Sequence, residues 1–113
     1  MFKKGTIILI PFPFTDLSSI KVRPALIISS SQIKGEDLIL TFISSNHSSQ
    51  SKTDVLIKKS SQNGLKLDSR IKVNKIATLN KKIVLGELGQ AGDDILNKVN
   101  KKLQLIFDIG SLK

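Results

Sequence analysis

The sequence predicts a mainly β domain, a small barrel or strongly bent sheet, that ends in one helix. Three observations predict it. Short β-branched and apolar runs fill the first three-quarters of the chain, separated by turns of Ser, Gly, Asn and Lys. Several runs are apolar on both faces, so the outer face needs cover from a helix or a second subunit. Apolar residues in the last segment recur at helical spacing instead.

Thr6 to Ile10 reads as the first strand, bounded by Gly5 and Pro11. Residues 11–22, PFPFTDLSSIKV, then read as a long loop. Ala25 to Ser29 is a strand opened by Pro24. Asp37 to Ser44 is the longest apolar run, with Leu38, Leu40 and Phe42 on one face and Ile39, Thr41 and Ile43 on the other. Residues 45–53, SNHSSQSKT, are a polar, Ser-rich loop. Shorter strands are expected at Val55 to Ile57, Ser69 to Val73, Ile76 to Leu79 and Ile83 to Leu88. Asp93 or Asp94 is placed to cap a helix running to about Asp108. Its stripe of Ile95, Leu96, Val99, Leu103, Ile106 and Phe107 is expected to pack on the barrel.

Composition bounds the function. A chain of 113 residues, 40% hydrophobic and 24% charged, fits one domain, 1–113, with a real core. The absence of cysteine excludes a disulfide scaffold, a thiolate zinc site and a cysteine nucleophile. One histidine is too few for a His-rich metal site. The apolar run Ile7 to Ile10 is too short to span a membrane, so a soluble, cytoplasmic protein is expected. The net charge of +9 suits an anionic partner such as nucleic acid, a membrane surface or an acidic protein. A lysine-rich composition bias accounts for that charge equally well, since Arg23 and Arg70 are the only arginines.

Common catalytic signatures are missing: there is no GxxxxGK[ST], HExxH or GxSxG. Gly86, Gly89 and Gly92 suit turns rather than a dinucleotide fingerprint. The informative cluster is KVRPALIIS, residues 21–29. Pro24 disfavours a helical Arg23, so Arg23 sits extended beside the first loop. Its planar guanidinium suits phosphate, and an ordinary surface ion pair is the alternative. The run Phe42 to Asn46 ends an apolar strand in hydroxyl and amide groups at the barrel rim.

Together these residues carry a resemblance. Gly5 with its strand, PFPFTDLS, RPALIIS at 23–29 and LTFISS at 40–45 resemble the MazF/PemK-like toxins. Gly64-Leu65, Asp68-Ser69, Lys75 to Leu79 and the closing strand and helix are similar to that family's second half. The resemblance implies a small SH3-like barrel that forms a homodimer and pairs with a cognate antitoxin protein. It implies a metal-independent, sequence-selective endoribonuclease that needs no cofactor. Such an enzyme acts on single-stranded RNA and leaves a 2′,3′-cyclic phosphate and a 5′-hydroxyl. Arg23 falls on the family's catalytic arginine and Ser44 on its catalytic threonine. Serine keeps the hydroxyl but loses the methyl that restricts χ1, so slower chemistry or altered preference is expected.

The substrate's own 2′-hydroxyl would be the nucleophile, with Arg23 on the non-bridging oxygens and Ser44 on a phosphate oxygen. Thr15, Ser18, Ser19 and Lys21 in the first loop are candidate RNA contacts, with Ser45, Asn46, His47 and Lys52 in the second, and Ser69 and Arg70 beyond. Histidine is the side-chain type that exchanges protons near neutral pH, so His47 is either a proton carrier or an ordinary loop residue. With no Trp or Tyr in the chain, base stacking falls to Phe12, Phe14 or His47, unless the phenylalanines only pack the loop. Two other readings stay open: a non-catalytic RNA- or antitoxin-binding barrel, and a CcdB-like gyrase inhibitor. The latter acts through a C-terminal tryptophan that this chain lacks.

Overall fold

A computed structural model describes residues 2–13 and 20–110. The strands are β1 (Thr6–Pro13), β2 (Ile20–Ile27), β3 (Asp37–Ser44), β4 (Asp54–Ile57), β5 (Ser69–Asn80) and β6 (Gly86–Gln90), followed by the helix α1 (Asp93–Phe107). They form one antiparallel sheet in the order β4-β5-β3-β2-β1-β6. Register shifts at Ile7/Ile8 and Thr41/Phe42 curl it into a half-barrel. The segment after β4 reaches the far edge, where the Gln90 N–H donates to the Gln62 carbonyl at 2.9 Å. Gly89 permits this approach, because a Cβ there would lie 2.2 Å from the Gln62 carbonyl oxygen.

The curl explains why several strands are apolar on both faces. On one face, Ile7, Leu26, Ile43, Ile71 and Val73 pack with Val99 of α1 and its neighbours Ile95, Leu96, Leu103 and Ile106. On the other face, Ile8, Ile10, Ala25, Ile27, Leu38 and Leu40 form a second core. Phe2, Phe42, Ile83 and Val84 close over it. The helix supplies one cover and the chain's own curl supplies the other. Among the described residues no helix is long and apolar enough to cross a membrane.

Several boundaries differ from expectation. β1 does not stop at Pro11: Pro11 pairs with Val22 and Pro13 with Ile20. Pairing with β6 covers only Thr6 to Leu9, so beyond Leu9 one side of β1 is an edge. A missing N–H costs no ladder bond on such an edge. The expected long loop therefore shrinks to a hairpin whose tip, residues 14–19, lies outside the described residues. The two strands expected at Ser69 to Val73 and Ile76 to Leu79 are one, β5, joined through the irregularity opposite Thr41/Phe42. Lys81–Ile83 is a single 3-10 turn, so the last strand begins at Gly86.

Neither Asp93 nor Asp94 caps α1. Gly92 is the N-cap and makes no side-chain bond, while both aspartates lie in the first turn, where the helix dipole favours them. Phe107, expected in the packed stripe, is exposed, as are Leu105 and Ile109.

Candidate functional site

β2 and β3 deliver two polar side chains to one end of the sheet. Arg23 lies opposite Ile10 in the β1–β2 ladder, extended and half-buried. Ser44 is the last residue of β3 and pairs with Arg70. Both line an open cleft of about 480 Å³. Ser45, Asn46, Lys66 and Ser69 line it too, over an aliphatic surface that includes Leu9, Val22, Leu65, Leu67 and Leu88. Two cations and no carboxylate face this space among the described residues, so it favours an anion.

The far wall is built by a turn. Gly64 has φ +72 and lies so close to Leu88 that a Cβ would come within 2.2 Å of its carbonyl oxygen. Buried Asn63 braces the same turn: its Oδ1 accepts from the Ser60 and Leu65 amides at 3.1 and 2.9 Å. Lys66 and Leu67 follow at the rim.

The near wall is the loop after Ser44. The Ser44 hydroxyl accepts from the Asn46 N–H at 3.1 Å, and the Asn46 side-chain oxygen accepts from the Ser48 N–H at 2.9 Å. His47 Nε2 donates to the Asp68 carbonyl at 3.1 Å. That bond ties the two walls together and commits Nε2 as a donor, since a carbonyl only accepts. Further along, buried Asp54 accepts from Lys72 Nζ at 2.9 Å and from the Ser51 N–H at 3.0 Å. Lys72 also donates to the Ser49 carbonyl at 2.7 Å.

Of the expected site residues, the cleft thus gathers Arg23, Ser44, Ser45, Asn46 and Ser69. Ser69 is buried and donates to the Leu67 carbonyl at 2.8 Å, so it shapes the rim. Lys21 and Lys52 are exposed outside the cleft lining. Arg70 turns to Asp54, 3.7 Å away, instead of into the cleft. His47 is a strap between loops. Phe12 packs on Phe42, their ring centroids 4.9 Å apart. Thr15, Ser18, Ser19 and Phe14 lie outside the described residues. Sequence reasoning missed Lys66, whose signal was the turn-forming Asn63-Gly64 just before it. It also missed the Asp54–Lys72 clamp, whose partners stand 18 residues apart. Among the described residues no group of three His, Asp or Glu could hold a metal ion.

Residues 3–107 match the family model described as PemK-like, MazF-like toxin of type II toxin–antitoxin system. The chain belongs to this family. Solved structures share the fold of this PemK-like protein. A mycobacterial endoribonuclease in complex with its cognate antitoxin superposes with a TM-score of 0.80 at 18% identity, covering 99% of this chain and 100% of that one. The Mycobacterium tuberculosis toxin MazF-mt6 gives 0.76 at 16% identity, covering 93% and 98%. MazF from Deinococcus radiodurans gives 0.75 at 18%, covering 96% and 97%. No curated protein matches the sequence.

Proposed function

We propose that this PemK-like protein is the toxin of a type II pair and a sequence-selective endoribonuclease that needs no metal ion. One observation carries the reading: Arg23 and Ser44, from neighbouring strands, line one cationic cleft that no carboxylate faces among the described residues. The family match and the endoribonuclease among its structural relatives support it.

The substrate's 2′-oxygen attacks the adjacent phosphorus and loses its proton, while the bond from phosphorus to the 5′-oxygen breaks and that oxygen gains a proton. The products are a 2′,3′-cyclic phosphate and a 5′-hydroxyl. Arg23 holds the non-bridging oxygens, where negative charge builds, and a fixed guanidinium stabilises that charge without reorganising. The Ser44 oxygen already accepts from the Asn46 amide, which leaves its O–H to donate to a phosphate oxygen. DNA would bind without reacting, because it lacks the nucleophile.

Two partners follow. The cleft's positive charge suits an acidic antitoxin segment as well as RNA, and relatives occur in complex with antitoxins. Ile39, Phe107 and Ile109 are exposed along an apolar groove shared with Ile28, Ile76 and Leu103, a surface suited to a second copy of the chain. Action on mRNA would place the toxin in the cytoplasm.

The test incubates wild type and Arg23→Ala with long single-stranded RNA in EDTA and maps the new ends. The expected result is discrete cuts with 5′-hydroxyl ends, slowed in the variant by roughly 10²–10³. Intact RNA at every wild-type concentration would overturn the enzyme reading and leave a binding cleft.

A further inference from the structure

The register of three strands sets three polar residues in one row. Ser44 on β3 faces Arg70 on β5. Ala25 on β2 faces Phe42 on β3, and two residues further along the same register brings Arg23 beside Ser44 on its other side. Residues directly opposite in an antiparallel pair share a face, with Cβ atoms about 5 Å apart. The chain's two arginines therefore flank the Ser44 hydroxyl, one from each neighbouring strand.

Arg23 lines the cleft, whereas Arg70 is turned towards Asp54. Its hold there is weak. Arg70 Nη1 stands 3.7 Å from Asp54 Oδ2, too far for a hydrogen bond. Its Nε is buried and has no hydrogen-bond partner among the described residues. The side chain is only 15% exposed, so water does little to satisfy it. Asp54 does not depend on this contact, because Lys72 Nζ at 2.9 Å and the Ser51 N–H at 3.0 Å donate to the same carboxylate. A guanidinium short of acceptors is stabilised by gaining them, and phosphate oxygens match its planar fork. We infer that Arg70 is a second phosphate ligand of the RNA site. On binding it turns from Asp54 to a backbone phosphate beside Ser44, on the side away from Arg23, while Lys72 keeps the carboxylate paired.

The inference rests on the cleft being an RNA site and not on cleavage, so its test reads binding. A single-stranded 2′-deoxy oligonucleotide of mixed sequence, which lacks the nucleophile, is titrated across a salt series. It is compared on wild type, Arg70→Gln, Arg70→Lys and Lys34→Gln. Arg70→Gln should weaken binding roughly tenfold and lower the slope of log K against log salt by about 0.7, one phosphate contact on a single strand. Arg70→Lys should keep the slope, because it keeps the charge. Lys34→Gln removes the same charge from the loop before β3 and should leave the slope unchanged. An unchanged slope in Arg70→Gln, or an equal fall in Lys34→Gln, overturns the inference. Failure of wild type to bind overturns the RNA site itself, and bound but uncut RNA overturns only the enzyme reading. Should Arg70→Gln not fold, wild type carrying isotope-labelled arginine decides. With two arginines in the chain, the Arg70 Nε–H signal is assigned by its loss in Arg70→Lys, and it should shift as the oligonucleotide is added. A signal that stays in place overturns the inference.

Discussion

Ser44 has to orient a hydroxyl without the methyl group that stiffens threonine. In its place the Asn46 amide holds the Ser44 oxygen at 3.1 Å, so the rotor is set by a neighbour rather than by branching. Ser44→Thr should therefore change the single-turnover cleavage rate only slightly. Ser44→Ala should lower it by about 10–100-fold, the loss of one hydrogen bond to a charged group. A Thr variant many-fold faster than wild type would show that the amide does not fix the hydroxyl. At this scale much was legible in the sequence. Arg23 could be placed extended because Pro24 restricts the residue before it. Ser44 could be placed at a rim because an apolar run gives way there to polar residues. His47 could not be placed, because its ring is turned by the carbonyl of Asp68, 21 residues away. No local pattern predicts that contact.

The loop that carries Asn46 is held at its far end by charges on β5. Asp54 is buried, with its side chain 1% exposed, and it faces Lys72 at 2.9 Å and Arg70 at 3.7 Å. Its Oδ1 and Arg70 Nε have no hydrogen-bond partner among the described residues, so the carboxylate is held mainly through Oδ2. Removing it would leave two largely buried cations unpaired. Asp54→Asn should cost about 3–5 kcal/mol in urea unfolding, the range for breaking a buried pair from one side. A loss under about 1 kcal/mol would mean that the clamp behaves like a surface pair. Element existence was legible here and element ends were not. β3 matched its expected bounds, Asp37 to Ser44, because the whole run pairs with β5 and buries residues on both sides of the irregularity at Thr41/Phe42. β1 ran past Pro11 because β6 is too short to pair that far, a fact about another strand. The helix began at Gly92 although two aspartates offered better caps, because both lie inside its first turn.

Across the whole molecule, the order of strands decides what the charge can do. Mainly β class and a C-terminal helix could be read from local runs. The order β4-β5-β3-β2-β1-β6, which brings Arg23, Ser44 and Lys66 to one end, could not, since pairing depends on register between distant segments. The net charge of +9 alone does not distinguish a binding surface from a composition bias. Position does. Lys66 lines the cleft, whereas Lys34 precedes the start of β3, about 24 Å along that strand from its end at Ser44. Exposed charges separated by more than about 10 Å are largely screened at 0.1 M salt. Lys66→Gln and Lys34→Gln each remove one charge from the same total. If RNA lies in the cleft, Lys66→Gln should weaken binding and reduce the slope of log K against log salt by about 0.7, as one phosphate contact on a single strand requires. Lys34→Gln should leave the slope unchanged. Equal effects of the two variants, measured by titration of single-stranded RNA across a salt series, would mean that the chain binds RNA through its overall charge and not through this cleft.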